Sequence, residues 1–170
     1  MTLSKQQRMD DLEKALALIL EQLGDRQLNR VLFNPGEPPF DEILPTSWPT
    51  LEEYGMIDIT SYLGGASHFT LTGHGWLTAM QDGGRTETEQ FNQNLGRLMA
   101  AFKAKVKGRA QTAFAGVDEI AAASGLPAAF IWNIIESDAI TVLKDRESAE
   151  WEGPGKNLIK IPIGFGHERL

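Results

Sequence analysis

The 170-residue chain predicts an α+β fold of two small units, each a three-helix core carrying a two-stranded β-hairpin. Three observations lead there. Apolar residues recur at helical spacing in one long stretch near the start of each half. Each half later holds a pair of short segments rich in β-branched or alternating apolar residues, joined by a Gly-containing stretch. The order of long helix, short helices and hairpin is thus repeated, and Asp82-Gly83-Gly84 breaks the chain between the halves. The expected units are residues 1–84 and 85–170.

In the first unit, Met9, Leu12, Leu16, Ile19 and Leu23 fall at alternating spacings of three and four. That pattern predicts an amphipathic helix over residues 4–23, with Gly24 stopping it. The spacing also suits a coiled-coil seam, although two heptads are too short to define one. It makes these five residues a candidate self-association stripe. Residues 26–33 read as a short second helix, and Asn34-Pro35-Gly36-Glu37-Pro38-Pro39 as a loop, because proline removes donors and restricts its neighbour. Ser47 is placed to cap a short helix through Tyr54, with Pro49 tolerated in its first turn and Gly55 ending it. Residues 56–62 and 68–72 read as strands about a Gly64-Gly65-Ala66 turn, with Phe69 and Leu71 on one face. Thr72 caps a further helix through about Gln81.

The second unit opens on Phe91, Leu95, Leu98, Met99, Phe102 and Val106, a 3.6-residue stripe ended by Gly108. Residues 117–124 and 127–137 read as two short helices meeting at Gly125-Leu126. Residues 139–143 and 158–165, rich in β-branched side chains, read as strands, with Gly153-Pro154-Gly155 at the tip between them.

Two of these stretches resemble a known family. Residues 51–57 (LEEYGMI), then a Gly-rich turn and residues 69–75 (FTLTGHG), resemble the end of bacterial winged-helix domains. There a recognition helix closes in a leucine, a glycine and an aliphatic pair, and the wing returns as aromatic-x-Leu-Thr-x-x-Gly. Residues 117–137 resemble a helix-turn-helix, with Ile120 and Ala121 on the first helix, Gly125 and Leu126 in the turn, and Ile131, Ile134 and Ile135 anchoring the second. The resemblance covers about a third of the chain and implies two winged-helix units with a binding function. Gly125 offers the permissive backbone such a turn needs, and Pro127 suits a first helical turn. The first unit departs from the pattern: Pro45 and Pro49 cut its recognition helix short, so it reads as degenerate.

Composition narrows the function classes. With 42% hydrophobic and 23% charged residues the chain can bury a core, which excludes a wholly disordered protein. Its longest apolar run, residues 15–20, falls far short of the ~20 residues that span a bilayer, and no signal-peptide pattern precedes it. The lack of cysteine excludes disulfides, thiolate metal sites and Cys nucleophiles, and the expected location is a reducing cytoplasm.

The net charge of −7 is unevenly distributed. Residues 31–84 hold seven acids and no Lys or Arg; residues 110–143 hold four acids and again no cation. Residues 85–109 hold six cations against two acids. A polyanion would be repelled by the two acidic blocks, which contain both helices expected to read DNA.

The candidate sites follow from this map. On the second helix of the helix-turn-helix, assigning Phe130, Ile131, Ile134 and Ile135 to the core turns Ala129, Trp132, Asn133 and Glu136 outward. That face offers one base reader, Asn133, and a repelling carboxylate, whereas an outward Trp suits a protein partner. The cations Arg97, Lys103, Lys105, Lys107 and Arg109 form the one stretch suited to phosphate. His68 and His74 are spaced too widely for a zinc site, and His167 has no evident partner, so no metal is expected. The adjacent pairs Asp41-Glu42 and Glu52-Glu53 diverge rather than converge, Gly153-Pro154-Gly155-Lys156 lacks phosphate-loop spacing, and no Gly-x-Ser-x-Gly occurs.

The expectation is therefore a non-catalytic regulatory or scaffold protein without cofactor. Its winged-helix units would contact a protein partner or a second copy of the chain, with DNA binding weak or non-specific and no membrane association. The alternative is a winged-helix transcriptional regulator that uses residues 97–109.

Overall fold

The computed structural model describes residues 4–36, 47–61, 67–82, 85–109, 112–137, 143–144 and 158–161. The fold is α+β and divides into two compact units, Met1–Thr88 and Glu89–Leu170. The division falls inside a helix rather than at the Gly83-Gly84 pair, which lies outside the described residues.

Unit 1 begins with helix α1 (Lys5–Leu23), closed at its start by a capping box. The Ser4 hydroxyl accepts from the Gln7 N–H at 3.2 Å, and the Gln7 side chain accepts from the Ser4 N–H at 3.0 Å, satisfying two otherwise orphan donors. Gly24 ends the helix at φ 54°, and the Arg26 Nε donates to the Leu23 carbonyl. The stripe Leu12, Leu16, Ile19 and Leu23 is buried within the chain, where α1 packs on helix α3 (Gly73–Asp82) through Trp76 and Ala79. Only Met9 of the five stripe residues is exposed, at 45%. The self-association seam is thereby corrected: its apolar face is consumed by an intramolecular helix.

The second helix expected over residues 26–33 shrinks to a single 3-10 turn, Leu28–Arg30. Tertiary pairing wins over helical propensity here. Phe33 exchanges both backbone hydrogen bonds with Phe69, at 3.0 and 3.1 Å, and the two rings stack at 4.7 Å. Helix α2 (Trp48–Glu53) starts after Ser47, whose side chain makes no cap bond; it buries Leu51 completely and ends at Gly55, φ 66°. Strands β1 (Ile57–Ser61) and β2 (Ser67–Leu71) pair antiparallel, with Ile57 opposite Leu71 and Ile59 opposite Phe69; Ile57, Phe69 and Leu71 are buried and Ile59 half-buried. The Gly64-Gly65-Ala66 turn lies outside the described residues. Thr72 then joins three elements: its hydroxyl accepts from the Gly75 N–H at 3.0 Å and donates to the Gly55 carbonyl, while its N–H donates to Met56.

Unit 2 is entered by helix α4 (Arg85–Val106), which buries Phe91, Leu98, Ala101, Phe102 and Val106. Strand β3 (Ala113–Gly116) follows, then helices α5 (Val117–Ser124) and α6 (Ala128–Glu136), and strands β4 (Leu143–Lys144) and β5 (Leu158–Ile161). The three strands form an antiparallel sheet in the order β3-β5-β4, with Ala113, Ala115, Ile159 and Ile161 on its buried face. Strand β3 adds a third member to the expected two-stranded hairpin. Its sequence, Ala-Phe-Ala-Gly, lacks the β-branched residues by which a strand is recognised, and pairing with β5 makes it one. Residues 139–142 and 162–165, the Gly153-Pro154-Gly155 tip and His167 lie outside the described residues.

The two units share one connection. In each, the segment after the long first helix pairs with the last strand of the hairpin: Phe33 with β2 in unit 1, β3 with β5 in unit 2.

The two glycines Gly75 and Gly96 should respond oppositely to alanine. A Cβ at Gly75 would fall onto the Met56 carbonyl oxygen and lie 2.9 Å from its Cα, a backbone that cannot step aside. Gly75→Ala is expected to destabilise by about 1–3 kcal/mol. Gly96, inside α4 with open space around it, should gain about 0.5–1 kcal/mol as alanine. Urea unfolding of both variants, followed by circular dichroism, checks the contrast.

Candidate functional site

The pair of short helices α5 and α6 in unit 2 is built from residues whose roles are local. Helix α5 carries Asp118 and Glu119 in its first turn, where carboxylates favour the positive end of the helix. It ends on the Ser124 hydroxyl, which donates to the Ile120 carbonyl at 2.7 Å, and on Gly125 in the left-handed region at φ 68°. Leu126 is buried behind the turn, and Pro127 takes the N-cap position of α6 with its fixed φ of −61°. The helices therefore meet at Gly125 as the sequence implied.

Two cations of the basic stretch are committed to holding this motif. The Arg97 guanidinium, reaching over from α4, donates to the Gly125 carbonyl at 3.1 Å. It also fills the space above that glycine: a Cβ there would sit 2.5 Å from Arg97 Nη2. Lys105 forms an ion pair with Glu119, joining α4 to the first turn of α5. Both cations are partly or largely exposed, so the Lys105–Glu119 ion pair adds little stability; the two contacts orient the helices. Lys103, Lys107 and Arg109 remain exposed around the end of α4, where cations also complement the helix C-terminus.

Helix α6 does not present the face expected of it. Trp132 is 9% exposed and Asn133 4%, alongside buried Ile131, Ile134 and Ile135. Ala129 and Glu136 are half-buried, and no residue of α6 is fully exposed. The outward-facing reading of Trp132 and Asn133 is thus corrected. The helix is apolar around most of its circumference, and such a helix is enclosed rather than seated at a surface. Among the described residues no buried side-chain nitrogen or oxygen lacks a hydrogen-bond partner, so Asn133 is a satisfied core amide rather than a free base reader. Phe130 packs edge-to-face on Phe91 of α4, with centroids 6.0 Å apart.

Among the described residues the exposed large apolar side chains lie elsewhere: Met9, Leu32, Tyr54 and Phe114. Phe114 projects from β3 between buried Ala113 and Ala115, and Leu32 stands between buried Val31 and Phe33. In both units, then, the segment pairing with the last strand alternates buried, exposed, buried. The sequence carries no polar–apolar alternation to signal this, since Val31-Leu32-Phe33 and Ala113-Phe114-Ala115 are apolar throughout.

His68 is half-buried on β2 opposite Thr60, and His74 is exposed in the first turn of α3. Among the described residues no three His, Asp or Glu side chains are grouped to hold a metal ion. None of the described helices is long and apolar enough to cross a membrane. No protein-family model, curated protein or solved structure matches the chain.

Two outcomes test this arrangement. Gly125→Ala should cost about 1–2 kcal/mol from left-handed backbone strain, with an added cost from displacing the guanidinium. In an Arg97→Ala background the added cost should vanish, a coupling that a double-mutant cycle by chemical denaturation reads directly. Trp132→Ala should destabilise by about 3–5 kcal/mol, the cost of truncating a buried indole, measured by the same unfolding curves.

Proposed function

We infer that the chain is a non-catalytic regulatory or scaffold protein, working in the cytoplasm, whose two winged-helix-like units contact other proteins. The connection common to both units supports the winged-helix reading. A long helix leads to a strand that pairs with the end of a hairpin, with short helical elements between. In unit 2 these include the turn at Gly125.

The observation that carries the functional reading is the state of α6. The second helix of the motif has no cation and encloses Trp132 and Asn133, so it lacks the donors that read base edges and grip phosphates. Across residues 110–143 four acids and no Lys or Arg add repulsion to that lack. The large apolar side chains left in solvent at Leu32, Tyr54 and Phe114 favour protein contact instead.

The second reading, a DNA-binding regulator, is favoured by exposed Lys103, Lys107 and Arg109. These can supply non-specific attraction to phosphate without base readout. Fluorescence anisotropy against duplex genomic fragments at near-physiological salt separates the readings. Binding is expected to be weak and non-selective. It should fall with salt at a slope of about −0.9 in log K per phosphate contact, and fall further in Lys103→Glu and Lys107→Glu variants. Nanomolar, sequence-selective binding would make the regulator reading the better one.

A further inference from the structure

We propose that the outer edge of β3 in unit 2, which no described residue pairs with, takes up an extended, acidic peptide segment of a partner protein as an added strand. This rests on the protein-binding reading above and names the site and the chemistry of the partner. A single exposed apolar residue would mean little, since much of any protein surface is apolar. Here three features coincide.

The first is the edge. Strand β3 pairs with β5 on one side, and among the described residues nothing pairs with the other. Edge strands are ordinarily blunted by charge or proline. Ala113, Phe114, Ala115 and Gly116 carry neither. Unit 1 differs at the matching place: Asn34-Pro35 follows the single bridge at Phe33, and the edge stops there.

The second is Phe114, 48% exposed on the outer face of the sheet. A strand laid beside β3 would lie about 4.8 Å away, so one of its outward side chains would fall against the ring. That requires an apolar residue in the paired stretch of the peptide.

The third is charge. Lys160 is the cross-strand partner of Phe114, and Lys107 and Arg109 lie in the segment leading into β3, with Lys103 one turn of α4 earlier. Against these four cations stands the exposed Asp118 at the start of α5; Glu119 is already held by Lys105. On a chain of net charge −7 these cations, near β3 in sequence or in register, outnumber the described acids, and they would select carboxylates at the end of the peptide nearest Arg109. One aromatic residue makes a poor stacking platform for successive bases, and a nucleic acid would leave the strand edge unused. The added-strand mode uses all three features.

The probe is a display library of random linear peptides, selected on the full chain and counter-selected on Phe114→Ser. Selected peptides, and a single-stranded oligothymidine as comparison, are then measured by fluorescence anisotropy. Expected are sequences that combine acidic residues with an aliphatic or aromatic one. Their binding should weaken about tenfold or more in Phe114→Ser and in Lys107→Glu/Arg109→Glu, with the circular dichroism spectrum of each variant unchanged. Amide hydrogen exchange should slow at residues 113–116 on binding.

No enrichment, enrichment of basic peptides, or binding indifferent to Phe114 would overturn the proposal. So would oligothymidine binding as tightly with the same losses, which would assign the surface to single-stranded nucleic acid. A protein mass that doubles through Phe114 would assign it to a second copy. Cross-linked protein partners retained by Phe114→Ser would refute this site while leaving the protein-binding reading intact. Selective duplex binding would refute the reading itself.

Discussion

Each unit depends on one long-range pairing: the segment after the first helix must reach the last strand of the hairpin. In unit 1 that pairing is a single bridge, Phe33 with Phe69, reinforced by stacked rings at 4.7 Å. In unit 2 it is the four-residue ladder of β3 and β5. Closing such a loop costs chain entropy, repaid only when the paired residues also bury apolar surface. Phe33 and Phe69 are 4% and 0% exposed, and Ala115 and Ile159 are likewise buried. Without this closure each hairpin lacks its third backbone partner, and a two-stranded hairpin alone is marginal in water.

The closure also governs what the units can offer a partner. A strand tied into a sheet must send alternate side chains outward, which puts Leu32 and Phe114 into solvent however apolar they are. Helices α5 and α6 of unit 2 are held by Arg97 on Gly125 and by Lys105 on Glu119. Two of the cations that make residues 85–109 basic therefore serve the fold. α6 meanwhile spends its apolar residues on the interior. The solvent-facing features of the unit fall instead on β3 and the end of α4.

Much of the architecture was legible in local patterns. Gly24 and Gly55 signal stops, and Gly125 followed by Pro127 signals a tight helix–helix junction; each depends on backbone chemistry within a few residues. The misreadings share one cause. Residues 26–33 carry helical propensity, but Phe33 gains more by pairing with Phe69. The spacing of Met9 to Leu23 suits either an intermolecular seam or an intramolecular face, and only the position of α3 decides between them. Helical spacing turns Trp132 and Asn133 away from Ile131, Ile134 and Ile135, yet all five are buried because α6 is enclosed around most of its circumference.

The sequence by itself determined the α+β class, the order of helices and hairpins, the places where helices start and stop, and the division of charge into acidic and basic blocks. These are properties of neighbours along the chain. Only the tertiary structure decided which apolar face meets which. It made Ala113–Gly116 a strand, committed Arg97 and Lys105 to the turn and to α5, buried Trp132, and left Phe114 exposed at a sheet edge beside cations. Periodicity states that a side chain has a preferred direction; what lies in that direction is set by residues far away in the sequence.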